Sequence, residues 1–500
     1  MAEKNDLMEK IVSLCKRRGF IYPGSEIYGG LANTYDYGPM GTELLRNIKN
    51  LWWKYFVQKR SDMVGLDASL ISHHKIWEAS GHVAGFADAM IDCKNCKARM
   101  RADHLIENYL TTSYVFDKGE TFNKKEIYEF KFAVDKVKKA LLQKKVEGLS
   151  IEELSLIIEK LDIKCPNPNC EKRNWTPVRK FNLLFPVQLG IVEGEGGMGY
   201  LRGETAQGIF INFRNVVDST RVRLPFGIAQ LGKSFRNEIT PGNSIFRTIE
   251  FEQGEIEYFF DPDNASWNEL FEKWKNTMWD FVTRELRVMA TNLRWRVHTN
   301  EERSFYSERT EDLEYKFPFG FKELWGLAYR TNYDLTQHMN ISKKDLTITD
   351  PHTGKKILPH VIEPAVGINR LLLMVLVDAY TEEDLPAGRQ GKRVVLKLHP
   401  RLAPYKVAVF PLLANKENLV EKAKEIYDDL KEHFMVVLDD RGNIGKRYLA
   451  QDEIGTPWCV TVDFDSLEDD MVTVRDRNTT QQERVPIKNL SNYFHNKLDS

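Results

Sequence analysis

Hydrophobic residues recur at helical spacing in two segments near the start of the chain. Leu7, Ile11, Leu14 and Cys15 fall on one side of a helix predicted over residues 7–20. A second and broader apolar stripe is formed by Leu44, Leu45, Ile48, Leu51, Trp52, Tyr55 and Phe56. A helix with one solvated face needs a narrower stripe, so the second helix must be covered by its own domain or by another chain.

The stretch from Phe226 to Phe260 predicts a long antiparallel hairpin. Two β-rich runs flank a turn-forming cluster at 240–244. Strand side chains alternate between faces, so Arg236 and Glu238 share one face of the first strand. One face of the second strand carries Arg247, Ile249, Phe251, Gln253 and Glu255. Cation, ring and carboxylate in series fit an adenylate, although a solvated hairpin with paired charges has the same composition.

The C-terminal segment alternates strands with amphipathic helices, which predicts a separate α/β domain. Its predicted strands cover 406–410, 435–438, 458–462 and 471–474, and its predicted helices cover 419–433, 444–454 and 487–498. The polar, turn-rich run Asp384–Lys392 before it is interpreted as a linker or loop.

Composition supports a large globular protein without indicating a ligand. The chain has 500 residues, 42% hydrophobic and 29% charged, with a formal net charge of −1. This length predicts two or three domains, and any nucleic-acid surface must be a local basic patch rather than a general excess of charge. No segment predicts a membrane span, and the charged N-terminus lacks the apolar core of a secretory signal, so we expect a cytoplasmic protein without a membrane partner.

Four of the six cysteines form two close pairs. Cys93 and Cys96 make one pair, and Cys165 and Cys170 make the other. In a reducing compartment, such pairs are better explained by a structural zinc ion than by disulfides, although free thiols remain the alternative. Between the pairs, residues 123–145 are rich in lysine; they predict a solvated helical face or a contact with RNA phosphates.

Several motifs carry a resemblance to a known family. Phe235-Arg236-Asn237-Glu238, followed by Arg247 and Phe251, resembles the second motif of class II aminoacyl-tRNA synthetases, and 359–370 resembles the third. The runs GIAQLGKSFRNEI, EFEQGEIEYF, WEASGHVAGFAD and RADHL look specifically like the glycyl-tRNA synthetases, and GKRYLAQDEIGTPWCVTVD looks like an anticodon-binding domain.

The resemblance implies roles for particular residues, with ATP and Mg²⁺, glycine and tRNA(Gly) as ligands. Arg236 and Arg370 would be the catalytic residues, binding the α-phosphate and the γ-phosphate of ATP. The ATP site would comprise Arg236, Asn237, Glu238, Phe246, Arg247, Thr248, Ile249, Glu250, Phe251, Glu323, Leu324, Gly367, Ile368, Asn369 and Arg370. The glycine site would comprise Arg101, Glu204, Phe251, Glu252, Gln253, Gly254, Glu255, Glu363, Pro364, Ala365, Val366 and Gly367. Arg330 is expected near the substrate.

Three positions depart from the family pattern: His73 and Gly203 replace the usual proline, and Ala365 replaces a common serine. Two other functions compete with the glycine enzyme, namely a synthetase for another small amino acid and a non-catalytic accessory subunit. The accessory subunit would lack the ATP residues, but Arg236, Glu238, Phe251 and Arg370 are all present.

Taken together, the patterns and the resemblance predict an α+β fold. An antiparallel-sheet catalytic domain would span residues 1–90, including the broad-striped helix as a homodimer interface, and residues 181–395. A helical, zinc-ribbon-like insertion with the cysteine pairs would occupy 91–180. The C-terminal α/β anticodon-binding domain would occupy 403–500.

Overall fold

The computed structural model describes residues 2–116, 137, 140–141, 146, 149–190, 197–238, 242–299, 303, 306–350, 353–385 and 391–499. Its helices, numbered α1 to α14, are Ala2–Arg18, Pro39–Trp53, His74–Ala79, His82–Gly85, Ala102–Phe116, Ile151–Lys160, Ala206–Thr220, Trp267–Asp280, Tyr333–Ser342, Ile368–Ala379, Glu417–Leu430, Ile444–Ile454, Ser466–Asp469 and Leu490–Asp499. Its strands, numbered β1 to β24, are Ile21–Pro23, Tyr35–Tyr37, Met63–Gly65, Ile71–His73, Ala87–Asp92, Arg99–Arg101, Arg179–Asn182, Phe185–Gln188, Met198–Leu201, Phe226–Phe235, Glu250–Phe260, Leu293–Val297, Arg309–Phe317, Gly320–Thr331, Ile348–Thr349, Lys356–Ile357, His360–Gly367, Tyr380–Asp384, Lys392–Leu396, Val407–Pro411, Val436–Leu438, Trp458–Val462, Met471–Asp476 and Gln482–Pro486. Short 3₁₀ turns lie at Glu26–Tyr28, Ser244–Phe246, Ala290–Asn292 and Ile487–Asn489, and π-helical turns at Lys54–Gln58 and Phe281–Glu285.

A seven-stranded sheet in the order β12-β13-β14-β17-β11-β10-β3 forms the catalytic domain. Every neighbouring pair is antiparallel except β10 with β3, which confirms the predicted sheet type. The predicted hairpin is β10 with β11, but its ladder ends where Phe235 pairs with Glu250. The long connection that follows is described at 236–238 and 242–249, and neither part is strand, so the face predicted for Arg236, Glu238 and Arg247 is wrong. Residues 240–241 of the predicted turn lie outside the described residues.

Both predicted N-terminal helices are present. The apolar stripe of α2 contacts α10 and the central sheet of its own chain, with Leu44, Ile48, Trp52 and Phe56 fully buried. Phe56 lies edge-on to Trp325 of β14, with 5.3 Å between ring centroids. The core of its own domain, and not a second chain, therefore covers most of this stripe.

The insertion combines a three-stranded sheet, β6-β5-β7, with helices α5 and α6. A capping box begins α6: the Ser150 side chain accepts from the backbone N–H of Glu153, and the Glu153 carboxylate accepts from the backbone N–H of Ser150. Of the lysine-rich segment 123–145, only residues 137 and 140–141 are described, so the prediction of a lysine-rich helical face lies outside the described residues.

The C-terminal domain has a five-stranded sheet in the order β21-β20-β22-β23-β24 with helices packed on it. The predicted helix 444–454 and strand 458–462 are confirmed at their exact bounds. Two expectations are corrected. Strand β24 was not predicted, and both ends of the proposed linker are strand, because Asp384 ends β18 and Lys392 begins β19, with 386–390 outside the described residues. Arg393 of β19 forms a buried ion pair with Asp452 of α12 at 2.8 Å.

Candidate active site

A cavity of about 280 Å³ is lined by one face of the central sheet and by residues of the long connection after β10. Its lining residues are Glu204, Arg236, Glu238, Ile245, Phe246, Arg247, Thr248, Phe251, Gln253, Glu255, His298, Tyr306, Thr310, Asp312, Glu323, Gly326, Leu327, Ala328, Glu363, Ala365, Val366, Gly367, Asn369 and Arg370. The cavity therefore brings together residues of the second and third class II motifs with Glu204 and Glu323.

One part of the cavity is built around Arg236. Its guanidinium lies between two rings, 5.0 Å from the centroid of Phe86 and 5.3 Å from that of Phe251, and its Nε donates to the backbone oxygen of Gly203 at 3.0 Å. Nearby, Arg247 donates from Nε to Glu238 Oε2 at 2.7 Å. These contacts fix a cation beside an aromatic plane, which is an arrangement suited to a phosphate next to a flat base.

A second cation, Arg370, lies in the first turn of α10 directly after the turn at Gly367. Its Nη1 is 3.0 Å from the Glu323 carboxylate, and its guanidinium lies 4.5 Å from the centroid of the Phe246 ring. The charge of Arg370 lowers the pKa of Glu323 below its usual value. Asp312, whose carboxylate accepts a hydrogen bond from His298 Nε2 at 2.7 Å, is the other acid at this end of the cavity.

At the other end of the cavity, three acids converge: Glu204, Glu255 and Glu363. Glu204 lies 3.2 Å from His82 Nε2 and accepts from Gln207 at 3.0 Å. Glu255 accepts from the backbone N–H of Thr205 at 2.8 Å and from the side chain of Gln253, also at 2.8 Å.

The third acid, Glu363, is held by a buried arginine. Arg330 Nη1 donates to Glu363 Oε1 at 2.8 Å, while Nε and Nη2 of the same guanidinium donate to Asp334 at 2.8 Å and 2.9 Å. One positive charge is thus shared between two carboxylates in a site closed to solvent.

Burial and mutual repulsion shift the acids in different directions. Burial alone would raise the pKa of Glu204, but the charge of His82 and its hydrogen bond hold that pKa below the usual range. Burial, and then the charge of Glu204, raises the pKa of Glu255. Burial raises the pKa of Glu363 to about 8, despite the opposing charge of Arg330. A cation entering among these groups would therefore be strongly favoured.

Several residues predicted for the site do not line the cavity. In the ATP set these are Asn237, Ile249, Glu250, Leu324 and Ile368; in the glycine set they are Arg101, Glu252, Gly254 and Pro364. Strand alternation explains part of this result, because Glu252 and Gly254 face away from Phe251 and Gln253. Glu252 pairs with Lys49 at 2.9 Å on the reverse side of the sheet.

Arg101, predicted for the glycine carboxylate, is held outside the cavity. It pairs with Asp88 at 3.0 Å and with Asp103, and Asp88 in turn lies 4.0 Å from Arg247. The structure therefore links Arg101 to the site through an acid rather than by direct exposure to the cavity.

Other residues of the site were missed in the sequence. His82 appeared there only within a family motif, yet it is buried and positions Glu204, with its own Nδ1 bonded to Ser80 Oγ at 2.8 Å. His298 directly follows β12, and Asp312 lies on the neighbouring strand β13. Neither residue belongs to a motif that was recognised in the sequence. A strand predicted over these residues would have placed Asp312 on the same face as Thr310, and this is the signal that could have indicated it.

The two cysteine pairs meet in the insertion. The four sulfur atoms lie within 4.8 Å of one another, with 3.6 Å between Cys93 and Cys170 and 3.6 Å between Cys96 and Cys165. Tetrahedral zinc with Zn–S bonds of about 2.3 Å separates its sulfur ligands by about 3.8 Å, so the donor set fits this ion. Backbone amides, first that of Cys96, lower the pKa of the Cys93 thiol to about 7, whereas burial raises the pKa of the Cys165 thiol to about 12.

Three protein-family models match successive parts of the chain. The "tRNA synthetase class II core domain (G, H, P, S and T)" matches residues 193–379, the "Glycyl-tRNA synthetase insertion domain 1" matches 88–183, and the "Anticodon binding domain" matches 406–497. A glycine–tRNA ligase of Clostridium tetani is 50% identical over 492 residues, which covers 98% of each chain. This chain belongs to the glycine–tRNA ligase family.

Two further glycine–tRNA ligases support that assignment. The one from Clostridium perfringens is 50% identical over 495 residues, and the one from Caldanaerobacter subterraneus is 49% identical over 492 residues; each match covers 98% of both chains. Membership of the glycine–tRNA ligase family confirms the resemblance, and the matched core domain confirms the predicted class II catalytic fold. Among the described residues, no helix combines the length and the apolar character needed to cross a membrane.

Proposed function

We propose that this chain joins glycine to tRNA(Gly) in two steps at the cavity. In the first step, a carboxylate oxygen of glycine attacks the α-phosphorus of ATP and pyrophosphate leaves. In the second, a ribose hydroxyl at the 3′ end of the tRNA attacks the glycyl carbonyl and AMP leaves. The attacking carboxylate is already ionised, so no side-chain nucleophile is needed, and catalysis consists of positioning and charge stabilisation.

The observation that supports this function is the combination of groups that line one cavity. Arg236 and Phe251 offer a cation and an aromatic face, and Glu204, Glu255 and Glu363 supply buried carboxyl groups. A glycyl adenylate presents its phosphate, base and ammonium to groups of these types. We propose that Arg236 binds the α-phosphate and Arg370 the γ-phosphate, each as a preorganised donor.

The acids at the ammonium end also provide a means of excluding larger amino acids. Each is fixed by a separate donor, namely His82 for Glu204, Thr205 for Glu255 and Arg330 for Glu363. A methyl group on the α-carbon would have to displace or desolvate one of these carboxylates, which costs more than an apolar contact returns.

Class II synthetases use ATP with Mg²⁺, and the ATP end of the cavity contains suitable ligands. Glu323 and Asp312 both line it, and the charge of Glu323 contributes to the raised pKa of Asp312 after burial. Two carboxylates that repel each other in this way are stabilised by a divalent cation. We propose that these two side chains hold the magnesium ion, whose charge would stabilise the phosphates.

ATP–pyrophosphate exchange tests the first step directly. We expect exchange with glycine and a rate at least tenfold lower, about the least that an extra methylene costs, with alanine, serine or proline. A higher rate with one of the other amino acids would identify a different synthetase, and no exchange with any of them would support a non-catalytic relative.

We propose that the C-terminal domain contacts the anticodon of the tRNA. The support is its match to the anticodon-binding family over residues 406–497. Deleting this domain would expose β19, whose Arg393 is buried against Asp452, so the test uses the full chain. Charge reversal of exposed Arg441, which is 91% exposed, should weaken aminoacylation while leaving ATP–pyrophosphate exchange unchanged. A loss of both activities would argue against a role confined to tRNA.

We propose that one zinc ion per chain is held by Cys93, Cys96, Cys165 and Cys170. All six cysteines of the chain are free thiols, which accords with action in the reducing cytoplasm. Metal analysis of protein prepared without chelators should find about one zinc per chain. Cys165→Ser should remove it, whereas Cys15→Ala, which alters a buried thiol outside the cluster, should not; a metal-free and fully active enzyme would refute the assignment.

We also propose a homodimer, through a surface other than the stripe of α2. The small sheet β4-β9-β8 carries exposed apolar residues, with Ile71 on its edge strand 46% exposed and Met198 on β9 48% exposed. An exposed apolar edge strand is suited to pairing with a second copy. Light scattering of the parent protein should give twice the mass of one chain, and Ile71→Lys should lower the measured mass. A monomeric parent protein would refute the proposal.

A further inference from the structure

The acid Glu257 lies beneath the ammonium end of the cavity without lining it. Its side chain is fully buried, and neither carboxylate oxygen has a hydrogen-bond partner among the described residues. Strand β11 alternates faces, so Glu257 points to the same side as Gln253 and Glu255, one step further from the opening. A charged carboxylate without a donor in such a place is strongly disfavoured.

The strand register places Glu257 opposite a second acid, Glu363. In the antiparallel pair β11–β17, Glu255 is opposite Ala365 and Tyr258 is opposite Ile362, so Glu257 is opposite Glu363. Two acids directly opposite each other on one face of a sheet repel when both are ionised. Protonation of one of the two carboxyl groups removes this repulsion and supplies a donor for the other.

No cation among the described residues pairs with Glu257. The groups that act on it electrostatically are Glu363 on β17, Arg330 on β14, Asp334 on α9 and Glu255 on β11. Arg330 is the one cation among them, and its guanidinium already donates to Asp334 and Glu363. Burial, and then the charge of Glu363, raises the pKa of Glu257 well above that of an ordinary glutamate.

We propose that Glu257 is a positioning residue that remains protonated and donates its O–H to Glu363, so that Glu363 stays an anion directed at the substrate ammonium. This proposal rests on the proposed function. The hydrogen bond stabilises the ionised form of Glu363 and opposes the effect of burial on that acid. Arg330 on one oxygen of Glu363 and Glu257 on the other then fix the orientation of its carboxylate.

Two variants of similar size test the role of the proton. Glu257→Gln keeps a neutral group with hydrogen-bond donors, and Glu257→Met keeps the length but has no donor. We expect kcat/KM for glycine in Glu257→Gln to stay within about threefold of the parent. In Glu257→Met, loss of one hydrogen bond to a carboxylate should move the acid limb of the pH profile upward by about 1–2 units, because Glu363 then ionises at higher pH.

The KM for ATP and the thermal unfolding of each variant control for damage to the fold. If Glu257→Gln and Glu257→Met lower kcat/KM for glycine equally, Glu257 acts as an anion, and if neither lowers it, Glu257 only fills space. Either result overturns the proposal. Infrared difference spectra of the parent minus Glu257→Gln give a readout independent of turnover. They should show the carbonyl stretch of a protonated carboxylic acid in mildly alkaline buffer, and its absence would also overturn the proposal. Failure of the parent protein to exchange with glycine would instead refute the proposed function.

Discussion

Replacement of Arg236 by alanine is the sharpest test of the phosphate assignment. The guanidinium is held before any ligand arrives, by Phe86 at 5.0 Å, by Phe251 at 5.3 Å and by the carbonyl of Gly203 at 3.0 Å. A donor that is already fixed needs no reorganisation when charge develops on the α-phosphate. Its loss should therefore affect the rate more than the stability.

The expected magnitudes separate these two effects. Removing one preorganised donor costs about 100- to 1,000-fold in rate, which is about 2.7–4 kcal/mol. For stability, the partly buried hydrogen bond to Gly203 contributes about 1 kcal/mol, and the ring contacts of the partly exposed guanidinium add about 0.5–1 kcal/mol. Arg236→Ala should therefore remain folded at room temperature while losing nearly all activity.

The assay is ATP–pyrophosphate exchange at saturating glycine, with thermal unfolding measured on the same samples. Arg236→Lys keeps the charge without the planar fork, so we expect it to fall between the parent and the alanine variant. Arg214→Ala is the matched control, since this exposed helical arginine pairs with Asp218 and its loss should change the rate less than twofold. Exchange by folded Arg236→Ala within threefold of the parent would refute the phosphate assignment.

Three further outcomes follow from the same cavity. Arg370→Ala should lower kcat/KM for ATP about 100-fold, because the γ-phosphate then loses the charged donor proposed to bind it; an unchanged value in ATP titrations would argue against a phosphate contact. Glu204→Asp should weaken glycine activation and lower the ratio of the exchange rate with glycine to the exchange rate with alanine. Equal losses of rate for the two amino acids would mean that the acids bind the ammonium without limiting the size of the amino acid. Ala365→Ser adds a hydroxyl to the cavity wall and should lower the KM for glycine about 2- to 10-fold, and a higher KM would show that the hydroxyl crowds the substrate.

The sequence determined much of the local structure, because helical and strand periodicities are fixed by the geometry of the chain itself. The spacing of Leu44, Ile48 and Trp52 predicted α2, and alternation on β11 predicted that Phe251 and Glu255 share a face, which is the face that lines the cavity. The paired cysteines likewise predicted a common site. The helical and strand patterns, and each cysteine pair by itself, lie within a short stretch of chain.

Only the tertiary structure decided what those elements contact. The stripe of α2 could face its own core or a second chain, and packing against α10 decided for the core. The long connection after β10 brings Arg236 and Arg247 to the cavity from positions that strand alternation could not assign. His82 lies beside Glu204, more than a hundred residues away, and no local pattern indicates that contact.

The same limit applies to the charges. From the sequence, Glu204, Glu255 and Glu363 are alike, yet the structure lowers the pKa of the first and raises those of the other two. The difference arises from which donors reach each carboxylate, and those donors come from other strands and helices. Periodicity depends on neighbours along the chain, whereas ionisation depends on neighbours in space, and the fold alone determines the second set.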